Sequence, residues 1–323
     1  MLPNPHLLIG PFLRREAVLS SRIEGTIATA EELLLFEALP AKEPPRDEIR
    51  EVANYVRALE HGLRRYNELP VCLRLIKEIH KTLLTGVRGE EGRPGEFRNR
   101  QNYIGNPGQP IETARFVPPP ANDTLKALDD LEEYIHAPAD LPFLIQMSLI
   151  HYQFEAIHPF IDGNGRVGRL LIPLLLCERK FLPHPLLYLS AFFERNREAY
   201  ADCLLAVSQS GVWRDWIRFF LQGVIEQSRD AVLRSQKLLN LWQIYRQKLQ
   251  TARASALLLR LVDELFAYPA MTIAQAKELL GVTYPSAKKN MEKLERAGIL
   301  KTSEERHRNK VYFAPDIIAL IDV

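Results

Sequence analysis

Between His158 and Arg169 the chain reads HPFIDGNGRVGR, twelve consecutive residues that hold most of the reactive chemistry in the sequence. His158 offers an imidazole that can take a proton near neutral pH. Asp162 supplies the hard oxygen that Mg²⁺ accepts as a ligand. Gly163, Asn164 and Gly165 make a turn whose successive N–H groups can nest around an anion. Arg166 and Arg169, three apart, share one side of a helix and carry guanidinium forks suited to phosphate oxygens. Each piece alone has an ordinary explanation: a tight turn, a helix end, a solvated pair of arginines. All of them in one order, with no spare residues, describe a site for attacking a nucleotide phosphate.

The elements around this run follow from its flanks. Leu144 to Ile157 contains neither Gly nor Pro and reads as a helix that Pro159 halts. A second apolar helix runs from about Arg166 to Lys180. The turn therefore sits at a helix N-terminus, where unpaired N–H groups and the macrodipole favour an anion. His158 ends the first helix and faces the turn across the loop.

The run resembles the signature of the Fic family, HPFx[D/E]GNGRxxR, at every fixed position. The resemblance implies an all-α core that transfers AMP from ATP to a Ser, Thr or Tyr hydroxyl of a target protein. It implies His158 as general base and Asp162 as the Mg²⁺ ligand. Gly163, Asn164 and Gly165 would cradle the α- and β-phosphates, Arg166 would support them, and Arg169 would hold the γ-phosphate. A phosphate-transferring toxin branch carries lysine where this chain keeps Gly165, so the unaltered motif favours adenylyl transfer over kinase chemistry.

Upstream, Ser20-Ser21-Arg22-Ile23-Glu24-Gly25 places Ser20 and Glu24 on one helical face, with Gly25 able to end the helix. Ser21 and Glu24 also fit a capping box, but helical sequence already runs from Arg14 to Leu19, and a better box follows at Thr29 and Glu32. The segment resembles the Fic inhibitory motif [S/T]xxxE[G/N]. That likeness implies Glu24 paired with Arg169, removing the γ-phosphate clamp.

Arg93 to Gly105 is rich in turn residues, with a short strand-like part near Tyr103. Alone it reads as a surface loop; it also resembles the family's flap hairpin. By that likeness Asn102, Tyr103 and Ile104 would hold an extended target segment by β-augmentation. Downstream, Asn196 and Tyr200 match positions that line the adenine and ribose pocket in relatives. Many relatives have a second tyrosine where this chain has Ala201. Read without the resemblance, Tyr200 is core and Asn196 a cap.

A chain of 323 residues exceeds one small core, and 46% hydrophobic residues support a packed interior. A net charge of +2 gives no global pull toward nucleic acid or membrane. The three cysteines, Cys72, Cys177 and Cys203, are scattered and show neither a zinc site nor a disulfide framework. The longest apolar run, Leu170 to Leu176, is far too short to span a membrane, and Gly10 and Pro11 interrupt the N-terminal apolar stretch. These features point to a cytoplasmic location.

The last seventy or so residues resemble a winged helix-turn-helix. Helices are expected over Ala254 to Phe266, Met271 to Gly281 and Val282 to Gly298, with Pro285 in the first turn of the third. Ile299 to Lys301 and Lys310 to Phe313 would form a two-stranded wing. Tyr284, Ser286, Lys288, Lys289 and Lys293 would stand on the recognition helix and Arg306, Arg308 and Lys310 on the wing, where cations meet DNA phosphates. Glu292, Glu295, Glu304 and Glu305 are interleaved and weaken that patch.

The expected fold is mainly α, with a Fic-type helical core, a β-hairpin flap and this C-terminal module. The expected segments are 1–92, an N-terminal helical region with the inhibitory helix; 93–209, the core; 210–253, a helical connector; and 254–323. A long helix from Trp213 to about Gln250 reads as filler, or as an arm that pairs with a second copy in a homodimer. Two function classes stand side by side. The first is an autoinhibited protein adenylyltransferase using ATP and Mg²⁺, with removal of AMP as a variation within that class. The second is a DNA-binding regulator or nucleotide sensor.

Overall fold

In the computed structural model of the chain, residues 6–39, 46–105, 108, 110–138, 140–251, 255–302 and 310–321 are described. They fold mainly as helices, in two units that are each discontinuous in sequence. One unit holds Met1–Val18, Ile27–Ala53 and Arg229–Val323; the other holds Leu19–Thr26 and Asn54–Ser228. Helix α1 (His6–Ile23) passes from the first unit into the second, and Gly10 and Pro11 lie inside it without ending it. Within the first unit Gly10 admits a close neighbour: a β-carbon there would stand 2.5 Å from the Ala267 carbonyl oxygen.

Helix α2 (Ala30–Ala38) opens on a capping box, in which Thr29 Oγ1 accepts from Glu32 N at 3.1 Å and Glu32 Oε2 accepts from Thr29 N at 2.9 Å. Helix α3 (Asp47–Arg65) leads into the second unit. Helix α4 (Leu73–Leu84) buries Leu75, Ile76, Ile79 and Leu83, the spacing of one helical face. After an irregular stretch come α5 (Thr124–His136), α6 (Phe143–Ile157) and α7 (Asn164–Glu178). The last two pack on each other, and α7 is buried from Val167 through Cys177. Helices α8 (Ser190–Arg195), α9 (Arg197–Ser210) and the start of α10 (Trp213–Thr251) complete this unit. Trp216 is fully buried, and its indole N–H donates to Ser148 O at 2.9 Å, so the large ring leaves no polar atom unpaired.

His151 sits inside that aromatic cluster, with Phe193, Trp216 and Phe220 around it. Its Nδ1–H donates to Gly168 O at 3.2 Å and its Nε2 accepts from the Tyr200 hydroxyl at 2.8 Å. Burial pulls the imidazole from its ordinary 6.5 down to about 3. The folded protein thus holds fewer protons than the unfolded chain between those values. Stability is full above pH 6.5 and declines as pH falls toward 3. Urea midpoints measured across that range should drop on acidification, and drop less steeply in His151→Gln.

The C-terminal part of the first unit runs α11 (Ala256–Ala267), β1 (Ala270–Thr272), α12 (Ile273–Leu280), α13 (Tyr284–Arg296), β2 (Lys301–Thr302), β3 (Val311–Phe313) and α14 (Pro315–Ile321). The strands form an antiparallel sheet in the order β1-β3-β2, with Met271 and Thr302 both opposite Tyr312. Two sequence expectations change here. Met271 belongs to a strand and not to a helix. Thr272 is the N-cap of α12, in a capping box with Gln275, so the helix starts at Ile273. The expected two-stranded wing gains β1 as a third strand. Arg306 and Arg308 lie outside the described residues. Among the described residues no helix is long and apolar enough to cross a membrane.

Candidate active site

Helix α6 ends at Ile157, and His158 takes a left-handed backbone conformation, φ 50°. Few residues with a side chain adopt it. Its Nδ1–H donates to Glu155 O at 3.3 Å, which leaves Nε2 able to accept a proton. Burial pulls this imidazole down to about 4, so the ring is neutral at pH 7.

The loop after His158 is braced from several directions. His80, fully buried on α4, donates from Nε2 to Asp162 O at 3.0 Å and accepts from Gly95 N at 2.8 Å through Nδ1. Its ring stacks on Phe160 with centroids 3.6 Å apart. Buried Arg98 donates from Nε to His158 O at 3.0 Å and from Nη2 to Pro119 O at 2.6 Å. Asn164 turns its side chain back on the loop: Oδ1 accepts from Phe160 N and Nδ2 donates to Phe160 O, both at 2.8 Å. Asn102 donates to Phe160 O at 2.7 Å. Neither His80 nor Arg98 stands out in the sequence. A lone histidine among Ile76, Ile79 and Leu83 reads as core, and Arg98 was hidden in a turn-rich segment.

Gly163, φ 79°, opens α7 in a conformation that suits glycine, and the first-turn amides that follow have no helical acceptor. Asp162 Oδ1 accepts from Gly163 N at 2.5 Å and lies 3.5 Å from Arg166 Nη2. Its side chain remains 41% exposed, whereas Arg166 is 1% exposed. One turn on, Arg169 is buried. Its Nε donates to Ser20 Oγ at 2.9 Å, and its Nη2 donates to Ser20 O at 3.0 Å and to Glu24 Oε1 at 2.6 Å. Burial raises the Glu24 carboxyl, but the facing Arg169 outweighs it and holds the group below the usual carboxylate range.

Glu24 is set by the end of α1. Thr26 N donates to Ser21 O at 3.1 Å and Gly25 N to Arg22 O at 3.0 Å, a Schellman closure with Gly25 at φ 85°. The carboxylate then rests on Gly165: a β-carbon on that residue would collide with Glu24 Oε1. Negative charge thus already occupies the mouth of the amide nest.

The sequence pattern of the Fic/DOC family matches residues 70–176, and that of the Fic/DOC family N-terminal region matches residues 1–64. The chain belongs to the Fic/DOC family. It is similar to the protein adenylyltransferase Fic of Drosophila willistoni, 31% identical over 154 residues, and to that of Aedes aegypti, 32% identical over 151 residues. Those stretches are 47% and 46% of this chain but 27% of either relative, so the match spans about a quarter of their length. Among solved structures, a Fic family protein from Desulfovibrio desulfuricans aligns with TM-score 0.59 at 20% identity, over 94% of this chain and 86% of that one. A Fic domain containing signaling protein from Bacteroides thetaiotaomicron aligns with TM-score 0.55 at 21% identity, over 68% and 85%. At those identities the likeness is one of fold.

The remaining sequence candidates in this Fic protein are distributed as follows. Tyr200 is buried against Phe193, with ring centroids 4.4 Å apart, and its hydroxyl bonds His151 Nε2 at 2.8 Å. Asn196 stands at the start of α9, where its Nδ2 donates to Phe192 O at 2.9 Å. Neither lines the apolar cavity beside the site. Ile104 and Phe116 of the flap, Ala156 and Glu155 of α6, and Ala201 and Leu204 of α9 form its walls instead. The flap itself, among the described residues, is one antiparallel bridge and not a regular hairpin: Ile104 and Phe116 exchange N–H···O bonds of 2.9 and 3.1 Å. Asn102 braces the loop, Tyr103 is half-buried, and Ile104 is exposed.

Proposed function

We propose that this protein is an ATP-dependent protein adenylyltransferase held inactive by Glu24. The observation that carries the reading is the Glu24 carboxylate, seated against Gly165 and bonded to Arg169 at 2.6 Å. Amides at a helix N-terminus together with a buried arginine suit a polyphosphate, and Glu24 competes for both.

Neutral His158 takes the proton of the target hydroxyl at Nε2 while the hydroxyl oxygen bonds to the α-phosphorus. The bond from that phosphorus to the α–β bridging oxygen breaks, and pyrophosphate leaves with the pair. The amides of α7 and Arg169 stabilise the charge that builds on the departing oxygens, usually the largest catalytic contribution. Asp162 fits Mg²⁺ as one exposed carboxylate. No cluster of three His, Cys, Asp or Glu that could hold a metal occurs among the described residues, so the nucleotide and water would supply its other ligands. Bound there, the ion would neutralise phosphate charge. The nucleoside then extends into the cavity beneath Ile104 and Phe116. Ile104 spends both backbone groups on Phe116, and an extended target segment would add along the other edge of that flap strand.

A DNA-binding role has less support, since Lys288 on α13 already faces Glu292 at 3.8 Å. No observation favours a homodimer or AMP removal over the reading given. With α-labelled ATP the Glu24→Gly protein should transfer label to itself or to an added target. Label transferred from γ-labelled ATP would mean kinase chemistry and overturn the reading.

The Schellman closure gives a gentler lever. Gly25→Ala places a side chain at positive φ, with nothing within 4 Å of the new β-carbon. The strain is about 1 kcal/mol, which loosens Glu24 without removing it. Transfer should rise several-fold in the same assay, well short of the Glu24→Gly level.

A further inference from the structure

A metal ion held by one protein carboxylate sits where that carboxylate stands. Mg²⁺ demands near-ideal octahedral geometry, so a displaced ligand is poorly tolerated. Asp162 stands in the loop between the end of α6 at Ile157 and the start of α7 at Asn164. Its side chain is half-exposed, so packing alone does not hold it.

Three contacts hold it instead. Oδ1 accepts from Gly163 N at 2.5 Å and faces Arg166 Nη2 at 3.5 Å. Oδ2 lies over Gly89, where a β-carbon would stand 2.5 Å from it. The main-chain carbonyl accepts from His80 Nε2 at 3.0 Å. His80 belongs to α4 and is fully buried, so this third contact comes from a fixed point outside the loop.

The protonation pattern of His80 follows from its partners. Gly95 N can only donate, and Asp162 O can only accept. The ring between them therefore carries its proton on Nε2 and leaves Nδ1 bare, 2.8 Å from Gly95 N. Both nitrogens are spent, and the ring stacks on Phe160 at 3.6 Å, so His80 has no polar atom left to meet substrate. The segment that carries Gly95 also carries Gly89. It packs on the loop at Gly92 as well, where a β-carbon would lie 3.1 Å from Ile161 Cβ. One imidazole thus ties the loop of Asp162 to the segment behind it.

We propose that His80 is a positioning residue for Mg²⁺: through the Asp162 carbonyl it fixes where the metal-binding carboxylate stands. The inference rests on the adenylyltransferase reading, in which Asp162 is the Mg²⁺ ligand. Phenylalanine at position 80 would keep the stack on Phe160 and lose both hydrogen bonds.

The test is calorimetric titration of ATP, once with Mg²⁺ and once with EDTA, into the full chain carrying Glu24→Gly, alone and combined with His80→Phe. In the parent Mg²⁺ should tighten ATP. His80→Phe should cut that gain about tenfold or abolish it, the usual cost of losing a group that orients a metal ligand. ATP affinity in EDTA should be nearly unchanged, because the amides of α7 and Arg169 are untouched. If the phenylalanine protein does not fold, His80→Asn should lower the gain in its place. Its amide oxygen can take the place of Nδ1 toward Gly95, but the side chain is too short to reach Asp162 O. With Asp162→Ala in the background, the change at position 80 should alter the Mg²⁺ gain no further, as for two groups that act as one unit. An equal loss of ATP affinity with and without Mg²⁺ would mean that His80 only supports the fold, and it overturns the assignment. So does an undiminished Mg²⁺ gain in the folded variant, or a further loss of that gain in the Asp162→Ala background. A parent that binds ATP equally with Mg²⁺ and with EDTA would end the reading of Asp162 as metal ligand, and this inference with it. A parent that binds no ATP at all would end the adenylyltransferase reading itself.

Discussion

Glu24→Gly is expected to raise adenylylation about 100-fold over the native protein, the scale on which misplaced reacting groups slow a reaction. The Glu24 carboxylate holds Arg169 at 2.6 Å and rests on Gly165. A triphosphate entering the site must displace it or settle with its α-phosphorus out of line. Glycine at position 24 removes the competing charge and leaves Arg169 on Ser20. The Glu24 side chain is 35% exposed, so losing the pair should lower stability by only about 1 kcal/mol. Glu24→Gln separates charge from bulk: it fills the same space without the charge and should fall between the two. Label incorporation from α-labelled ATP measures all three proteins. A Glu24→Gly rate no higher than native would refute the inhibitory role.

His158→Ala, made in the Glu24→Gly background, is expected to lower turnover by about 10²–10⁴-fold, the usual contribution of a positioned general base. ATP affinity should stay within about twofold, because the phosphate contacts come from α7 and Arg169. The native imidazole is held neutral down to about pH 4 by burial. Its protonation would stop the reaction only on the acid side, so the rate should hold through pH 6.5, the ordinary histidine value, and fall only as pH approaches about 4. The acid limb should be missing from the residual activity of the alanine variant. Unchanged turnover would exclude His158 as the base.

The sequence made the reactive run legible because its groups are contiguous and each has a distinct chemical type. Helix ends could be read for a similar reason: Pro159, Gly163 and Gly25 act within a residue or two of where they stand. Ser20 and Glu24, four apart on α1, both meet Arg169, which a helical period makes natural once their partner is known. Contacts between distant parts of the chain left no such trace. His80 reaches Asp162 across 82 positions and Arg98 reaches His158 across 60. Neither adds a period or a turn signal. Glu155 and Gly168 fit each other through an absent side chain, which spacing alone does not reveal. Asn164 appeared as one link of a phosphate cradle, yet its side chain ties the loop to Phe160. Strand β1 escaped notice because three residues are too few to establish an alternation. The two units escaped too, since segments from both ends of the chain share one of them.

Inhibition by Glu24 requires its carboxylate to stand where the outer phosphates of ATP belong. Titrating ATP and AMP separately into native and Glu24→Gly protein isolates that claim, because AMP lacks the tail. Removing Glu24 should tighten ATP by about tenfold, or 1.4 kcal/mol, and leave AMP nearly unchanged. Equal gains for the two nucleotides, or none for ATP, would contradict it.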